Sequence, residues 1–327
     1  MDTATTHPHA AGADARKKPS PTPTPTPTSA AYTLVTEPDQ GLTAIYNLLS
    51  SAKKSIDMTM YELIDTEVTS ILTAAAAKGI AVRVILDQNN ERASNTPAYN
   101  LLAANKVSVH WANPAYACTH QKTIAVDGAT SAIMTLNLTT EDYATTRDFA
   151  VITTNAADIA AIEATFNADF TNTAITPPTG LNLVWSPTNS RTAITGLIEA
   201  ATQSLLISQE EFEDTGIQTA LEAALKRGVS VTLVQENMSG KYSPVLNTLK
   251  AAGAQIATFS SRTGYYIHAK TVLADYESDA KLFVGSENFS TDSLDKNREL
   301  GLLFSDPTCM AGVQAAITAD FNKGTKF

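Results

Sequence analysis

The string His-x-Lys-x-x-x-x-Asp occurs twice in this chain, once from His120 through Lys122 to Asp127 and again from His268 through Lys270 to Asp275. Of the five histidines, His7 and His9 lie near the N-terminus and His110 stands alone beside Trp111; the other two open these strings. An imidazole and an ammonium two residues apart can act on one group if they lie on a strand, where residues i and i+2 share a face. The runs Gln121 to Val126 and Ala269 to Ala274 hold short β-branched stretches and end in the turn residues Asp127-Gly128 and Asp275-Tyr276, so each string is expected on a strand. The aspartate, an odd number of positions beyond its histidine, falls on the other face or in the closing turn, as structural or electrostatic support.

Brought face to face, the two strings would pool two imidazoles, two ammonium groups and the asparagines Asn137 and Asn288. That inventory suits a phosphodiester. The lysines and asparagines can hold the non-bridging oxygens as charge builds on a pentacoordinate phosphorus. One histidine can attack phosphorus while the other protonates the leaving oxygen and then activates water. Each imidazole needs an acceptor on its second nitrogen to fix the tautomer, and Asp148 and Glu299 are the candidates. No Cys/His cluster with zinc spacing and no acidic loop with EF-hand spacing occurs, so neither metal nor cofactor is implied.

The elements that must position these groups are legible as an internal repeat. Leu34-Val35, Pro38, Ala44-Ile45, Leu48, Ala52, Ser55, Glu62 and Asp65 return without a gap as Leu183-Val184, Pro187, Ala193-Ile194, Leu197, Ala201, Ser204, Glu211 and Asp214. The apolar stripe Val68, Ile71, Leu72, Ala75, Ala76 returns as Ile217, Ala220, Leu221, Ala224, Leu225. Asp65 and Asp214 stand where helix N-caps are wanted, and Gly79 and Gly228 where left-handed C-caps are wanted. The β-rich runs Ile80 to Leu86 and Val229 to Val234 follow. Beyond the strings, Thr135-Leu136-Asn137 matches Ser286-Glu287-Asn288, Arg147-Asp148 matches Arg298-Glu299, and Ala168-Asp169-Phe170 matches Ala319-Asp320-Phe321. The period far exceeds that of solenoid repeats, so each copy reads as a domain-sized lobe, the first over 33–176 and the second over 177–327.

With 43% hydrophobic and 17% charged residues, the chain can bury one or two ordinary cores. Residues 1–32 differ: Lys17-Lys18-Pro19-Ser20 leads into alternating Pro-Thr, which favours extended polyproline II and reads as a disordered tether. Such tethers suit a secreted or periplasmic protein, although Met1 to Ala15 has no apolar signal core. No apolar run long enough to span a membrane occurs. Cys118 and Cys309 read as two buried free thiols.

The chain resembles the phospholipase D superfamily, whose members carry two His-x-Lys-x-x-x-x-Asp strings, each followed by a Gly-Ser-x-Asn element and an acidic residue. The second half fits closely, with Gly285-Ser286-Glu287-Asn288 and then Asn297-Arg298-Glu299. The first half has Met134-Thr135 in place of Gly-Ser, and Asp148 in place of Glu. The resemblance implies an α/β protein of two similar lobes, each a mixed β-sheet flanked by helices, related by a pseudo-twofold with one active site between them. It implies a monomer with an internal pseudo-dimer, working through a covalent phosphohistidine without metal. It also implies catalysis by His120, Lys122, His268 and Lys270, phosphate binding by Asn137, Asn288, Ser286 and Thr135, and support from Asp127, Asp275, Asp148 and Glu299. The first-string histidine is commonly the nucleophile, though near-symmetry allows the reverse.

Other polar residues carry weaker signals. Glu62 and Glu211 could line the cleft or serve as ion-paired support. His110 reads as a satisfied, partly buried side chain. Tyr116, Tyr265 and Tyr266 border the substrate entrance or simply pack. Asn137 and Asn288 also open glycosylation sequons, a coincidence of sequence.

The superfamily divides into lipid enzymes and nucleases. A nuclease is expected to present a basic groove, whereas this chain has net charge −10, with Arg16, Lys17 and Lys18 among its 23 basic residues already in the tail. The expected substrate is therefore a phospholipid head-group phosphodiester, hydrolysed or transphosphatidylated. A metal-independent endonuclease is the alternative, and a noncatalytic phosphate-binding scaffold is the third reading. The same charge gives no general attraction to anionic membranes, so engagement would fall to loops at Asn89 to Asn100 and Asn237 to Val245, which are polar.

Overall fold

The two aspartates that open corresponding helices show how the repeat folds locally. In the computed structural model, which describes residues 1–4, 31–261, 264–276 and 279–327, Asp65 accepts hydrogen bonds from the amides of Glu67 and Val68, and Asp214 from that of Ile217. Each cap satisfies amides that the first helical turn leaves without partners, worth about 1 kcal/mol. Gly79 and Gly228 close the same two helices at φ of +86° and +90°, where a side chain would be strained. The Pro-Thr stretch expected to be a disordered tether lies outside the described residues.

The first half runs β1 (Tyr32–Glu37), α1 (Thr43–Ser50), β2 (Ser55–Met60), α2 (Thr66–Ala77), β3 (Ala81–Leu86), α3 (Arg92–Ala104), β4 (Ser108–Trp111), β5 (Thr123–Val126), β6 (Thr130–Met134), β7 (Thr146–Thr153) and α4 (Ala156–Phe170). The second runs β8 (Leu183–Ser186), α5 (Ser190–Ala200), β9 (Ser204–Gln209), α6 (Thr215–Lys226), β10 (Ser230–Glu236), α7 (Ser243–Ala251), β11 (Gln255–Phe259), β12 (Tyr266–Ile267), β13 (Lys270–Ala274), β14 (Lys281–Gly285), α8 (Thr291–Asp295), β15 (Glu299–Phe304), α9 (Pro307–Lys323) and β16 (Thr325–Lys326). A single turn of 3₁₀ helix, Met238–Gly240, precedes α7.

The halves share one mixed sheet plan. The first sheet is ordered β1-β7-β6-β5-β2-β3-β4 and the second β8-β15-β14-β13-β9-β10-β11, with β16 added at its edge. In each, the inner pairs β2·β3 and β9·β10 are parallel, while β5 and β13 return antiparallel to them. Strand alternation feeds three large cores among the described residues. Ile124 and Val126 of β5 face α1 to α3 on the outside, and Leu205 and Ile207 of β9 face α5 to α7. The residues between them, such as Ala125, Phe149, Leu206, Leu273 and Val284, fill a third core where the sheets' inner faces meet, together with α4 and α9. Both faces of each sheet are thus buried.

The halves also exchange backbone. β12 of the second half pairs with Thr146 and Arg147 of β7, next to where β1 stops opposite Asp148. Reciprocally, Thr119 of the first half bridges Arg298, next to where β8 stops opposite Glu299. Residues that match in the repeat therefore contact each other's halves, the self-complementary pattern of a twofold interface. The same crossing governs the buried arginines: Arg147 donates to Asp320 at 2.6 Å, and Arg298 to Asp169 at 3.0 Å. A buried guanidinium needs such a partner, and here each half supplies the other's. Residues 31–327 accordingly form one compact unit.

The segments expected as loops at Asn89 to Asn100 and Asn237 to Val245 are largely helical, belonging to α3 and to the 3₁₀ turn and α7. Their polar composition reflects single buried stripes, Asn95, Ala98 and Leu102 in α3 and Leu246 and Leu249 in α7, with the remaining faces in solvent. No helix among the described residues is long and apolar enough to cross a membrane.

Candidate active site

His120 and Lys122 lie immediately before β5, and Lys270 is the first residue of β13, so the catalytic candidates occupy the entrances of the expected strands. In each string the ammonium folds back on its own histidine. Lys122 donates to the His120 carbonyl at 2.6 Å, and Lys270 donates to that of His268. Asp127 and Asp275 sit in the closing turns at φ of +57° and +49°. Asp127 takes the amides of Lys53, Lys54 and Ser55, and Asp275 those of Thr202, Gln203 and Ser204. Burial works against their charge, yet these amides hold both carboxyls below the usual range. They fasten the string's strand to its neighbour, away from the chemistry.

The imidazoles are held across the halves. His120 Nδ1 donates to Glu299 Oε2 at 2.8 Å, and His268 Nδ1 donates to Asp148 Oδ1 at 2.9 Å. A carboxylate only accepts, so each bond places the proton on Nδ1 and leaves Nε2 for the substrate. Thr135 donates to Asp148 at 2.5 Å and Asn297 to Glu299 at 2.9 Å, steadying both acids. Burial opposes the charge of Glu299, but His120 and Lys122 keep its carboxyl below its ordinary value. Burial, and then the charge of Lys122, pushes the His120 imidazole down, favouring its neutral form. Lys122 is lowered to about 7 by burial and by Lys270.

Both histidines, with Asn137 and Asn288, line one cavity of about 460 Å³. A second, of about 550 Å³, reaches His120, Tyr61 and Asn288 from the side of Ser290 and Asn297. Thr135 and Ser286 line neither, and nor do the fully buried Lys122 and Lys270. The Thr135 hydroxyl is spent on Asp148 and accepts the Phe149 amide, while the Ser286 hydroxyl accepts the Leu300 amide and its carbonyl faces His120 Nδ1 at 3.1 Å. Both hydroxyls are thus engaged behind the histidines.

The family model described as cardiolipin synthase, PLD-like domain, matches this chain twice, over residues 45–170 and 194–323. The chain belongs to the phospholipase D superfamily. It is an enzyme of the phosphodiesterase type found there. Among curated relatives it is 26% identical over 330 residues to cardiolipin synthase A of Pseudomonas syringae pv. syringae (strain B728a), an alignment covering 88% of this chain and 68% of that protein. Its fold is similar to that of phosphatidylserine synthase from Haemophilus influenzae Rd KW20, with TM-score 0.69 and 14% identity, covering 91% of this chain and 87% of that one. It is also similar to polyphosphate kinase from Porphyromonas gingivalis, with TM-score 0.72 and 17% identity, covering 89% of this chain and about half, 47%, of that one.

Several site residues of this phospholipase D-like chain escape a reading by motif. Glu210, one position before the repeat-matched Glu211, pairs with Lys270 at 2.7 Å and accepts from the Tyr266 hydroxyl at 2.8 Å. Burial opposes its charge, but His268 and Lys270 hold its carboxyl far below the usual range. Its counterpart Tyr61 sets its ring edge-on to His120 at 4.6 Å. Glu37, at the end of β1, lines the cavity while only 2% exposed, with both oxygens unpartnered among the described residues. Burial, then the charges of Asp148 and Asp39, raises it to about 7. Glu62, Glu91, Glu141, Asp142 and Glu211 complete an acidic lining.

Other expectations resolve plainly. Tyr116 and Tyr265 pack on the exchanged arginines Arg298 and Arg147, and Tyr266 lines the cavity. His110 is exposed rather than partly buried, because it lies on the edge strand β4, where its ring stacks on Phe170 and its Nδ1 pairs with the Phe170 carbonyl. Cys118 and Cys309 are buried free thiols. Burial pushes the Cys118 thiol up, so it is no nucleophile.

Proposed function

We propose that the protein acts on phospholipid head-group phosphodiesters, hydrolysing them or transferring the phosphatidyl group to an alcohol. His120 Nε2 forms a bond to phosphorus as the bond to the head-group oxygen breaks, and His268 gives that oxygen its proton. Water or an alcohol then loses a proton to His268 and attacks phosphorus, releasing the His120 imidazole. Lys122, Lys270, Asn137 and Asn288 receive the non-bridging oxygens. His120 suits the attacking role because burial keeps it neutral. His268 suits the proton-carrying role because carboxylates flank both ring nitrogens, Asp148 at Nδ1 and Glu210 at 3.6 Å from Nε2.

The observation that carries this reading is the reciprocal hold of Glu299 on His120 and Asp148 on His268, which directs two Nε2 atoms to one cavity. The acidic lining disfavours a polyanionic nucleic acid, in line with the net charge of −10. The relationship to a protein named cardiolipin synthase supports the lipid class.

The test is a side-by-side assay, in EDTA, of labelled phospholipid and labelled oligonucleotide, with and without a primary alcohol. Release of head group, and an alcohol-dependent phosphatidyl product, is expected from the wild type and from neither His120→Ala nor His268→Ala, both with unchanged melting temperature. Cleavage of the oligonucleotide alone would overturn the lipid assignment. Turnover surviving both single changes would overturn the mechanism.

A further inference from the structure

In the second half, the donors that would receive a substrate oxygen already surround an anion belonging to the protein. Glu210 Oε2 lies 2.7 Å from Lys270 Nζ, 3.3 Å from Asn288 Nδ2 and 3.6 Å from His268 Nε2. Three groups from two segments, the second string and the stretch after β14, converge on this one oxygen. Its backbone is pinned, since the Glu210 amide donates to the Ala269 carbonyl at 3.1 Å and its carbonyl accepts from Gln235 at 2.7 Å. The side chain is 15% exposed and borders the cavity, so rotation about its own bonds, with release of the Tyr266 hydroxyl, would free the seat without moving the backbone.

The first half is built differently. Tyr61 holds the matching place, its ring 4.8 Å from Lys122 Nζ. No carboxylate there competes for the corresponding seat at Lys122 among the described residues. A purely supporting carboxylate has another appearance in this site: Glu299 is fully buried and grips the far nitrogen of its histidine. Glu210 instead faces Nε2, the nitrogen reserved for chemistry.

From this geometry we infer that Glu210 is a specificity-determining residue, a built-in carboxylate occupying the oxyanion seat of His268, Lys270 and Asn288 that a substrate phosphate must displace. The displaced carboxylate stays within the cavity that it lines. Every additional negative charge on the incoming molecule is then opposed at close range. The seat thus selects singly charged phosphodiesters over phosphomonoester dianions and free phosphate. This rests on the phosphodiesterase reading above and adds the means by which charge is discriminated.

The test is calorimetric titration of inorganic phosphate into the full chain at pH 7 in EDTA, for wild type, Glu210→Gln, Glu210→Asp and Glu62→Gln, each checked by thermal melting. Glu210→Gln should tighten phosphate binding about 10-fold or more, because the competing charge is gone while the amide still fits. Glu210→Asp, which withdraws the carboxylate by one methylene, should tighten it less and serves as the reading if the glutamine variant fails to fold. Glu62→Gln removes a charge from the same cavity but not from the seat, and should change affinity less than about threefold. Adding Lys270→Met to Glu210→Gln should abolish the gain. Equal or weaker binding by the folded Glu210 variants would overturn the inference alone and leave Glu210 as support for Lys270. Absence of phosphate binding in every protein, together with an inactive wild type in the lipid and oligonucleotide assay, would overturn the phosphodiesterase reading and the inference with it.

Discussion

Glu299 accepts a hydrogen bond from His120 Nδ1 at 2.8 Å, although 179 positions of chain separate the two. Asp148 holds His268 the same way from the other half. Each acid sits where its own edge strand ends and the other half's backbone begins, so the tautomer of each imidazole depends on the joining of the halves. Glu299→Gln and Asp148→Asn should each lower kcat by about 10²- to 10⁴-fold, because an amide can donate to Nδ1 and move the ring proton to Nε2. Steady-state kinetics on variants with unchanged melting curves checks this. A loss under threefold would show that the carboxylates are dispensable.

The alkaline limb of activity should belong to Lys122. Burial and the Lys270 charge lower it to about 7, so the free enzyme loses that ammonium as pH rises past neutrality. kcat/KM should fall above about pH 7, and Lys122→Arg should flatten that limb while lowering the maximum, since guanidinium stays charged but does not match the compact ammonium. A limb at the same pH in Lys122→Arg would assign it elsewhere.

Glu37 should make stability fall between pH 4.5 and about 7. Its folded value is raised to about 7 from 4.5, so across that interval the folded protein keeps a proton that the unfolded chain has released. By linkage, stability is full below the unfolded value and declines as pH climbs towards the folded one. Glu37→Gln should reduce this slope, as read from urea midpoints at about pH 4.5, about pH 6 and about pH 7.5. An unchanged slope would contradict the assignment.

Asp127 and Asp275 should matter for stability rather than turnover. Asp275→Ala would leave the amides of Thr202, Gln203 and Ser204 without their acceptor, costing about 1–3 kcal/mol. Asp127→Ala should cost less, because its partners at Lys53 and Lys54 are open to water. Denaturant titration measures the loss, and the folded fraction should keep its kcat within about threefold. A selective collapse of kcat would move these residues into the chemistry.

The duplicated plan was legible because repeats preserve caps and apolar stripes: Asp65 with Asp214, Gly79 with Gly228, and Val68 and Leu72 with Ile217 and Leu221 all behave as their types require. The crossing of partners was not. Matching Arg147-Asp148 with Arg298-Glu299 shows that the positions are equivalent, but a repeat does not say whether an acid serves its own half or the other. Glu210 was hidden for the opposite reason. Its repeat partner is Tyr61, so the pairing that exposed Glu62 and Glu211 passed over it. Thr135 and Ser286 drew attention through their place in the motif, yet backbone amides and Asp148 claim their hydroxyls. Helices α3 and α7 were obscured by narrow apolar stripes amid polar residues.

The exchange of backbone at β12 and Thr119 leaves each imidazole dependent on an acid from the opposite half. Were the polypeptide severed between α4 and β8, each fragment would retain an imidazole while its steadying acid departed with the other fragment. On the proposed mechanism neither copy would work alone, and damage to one would silence both.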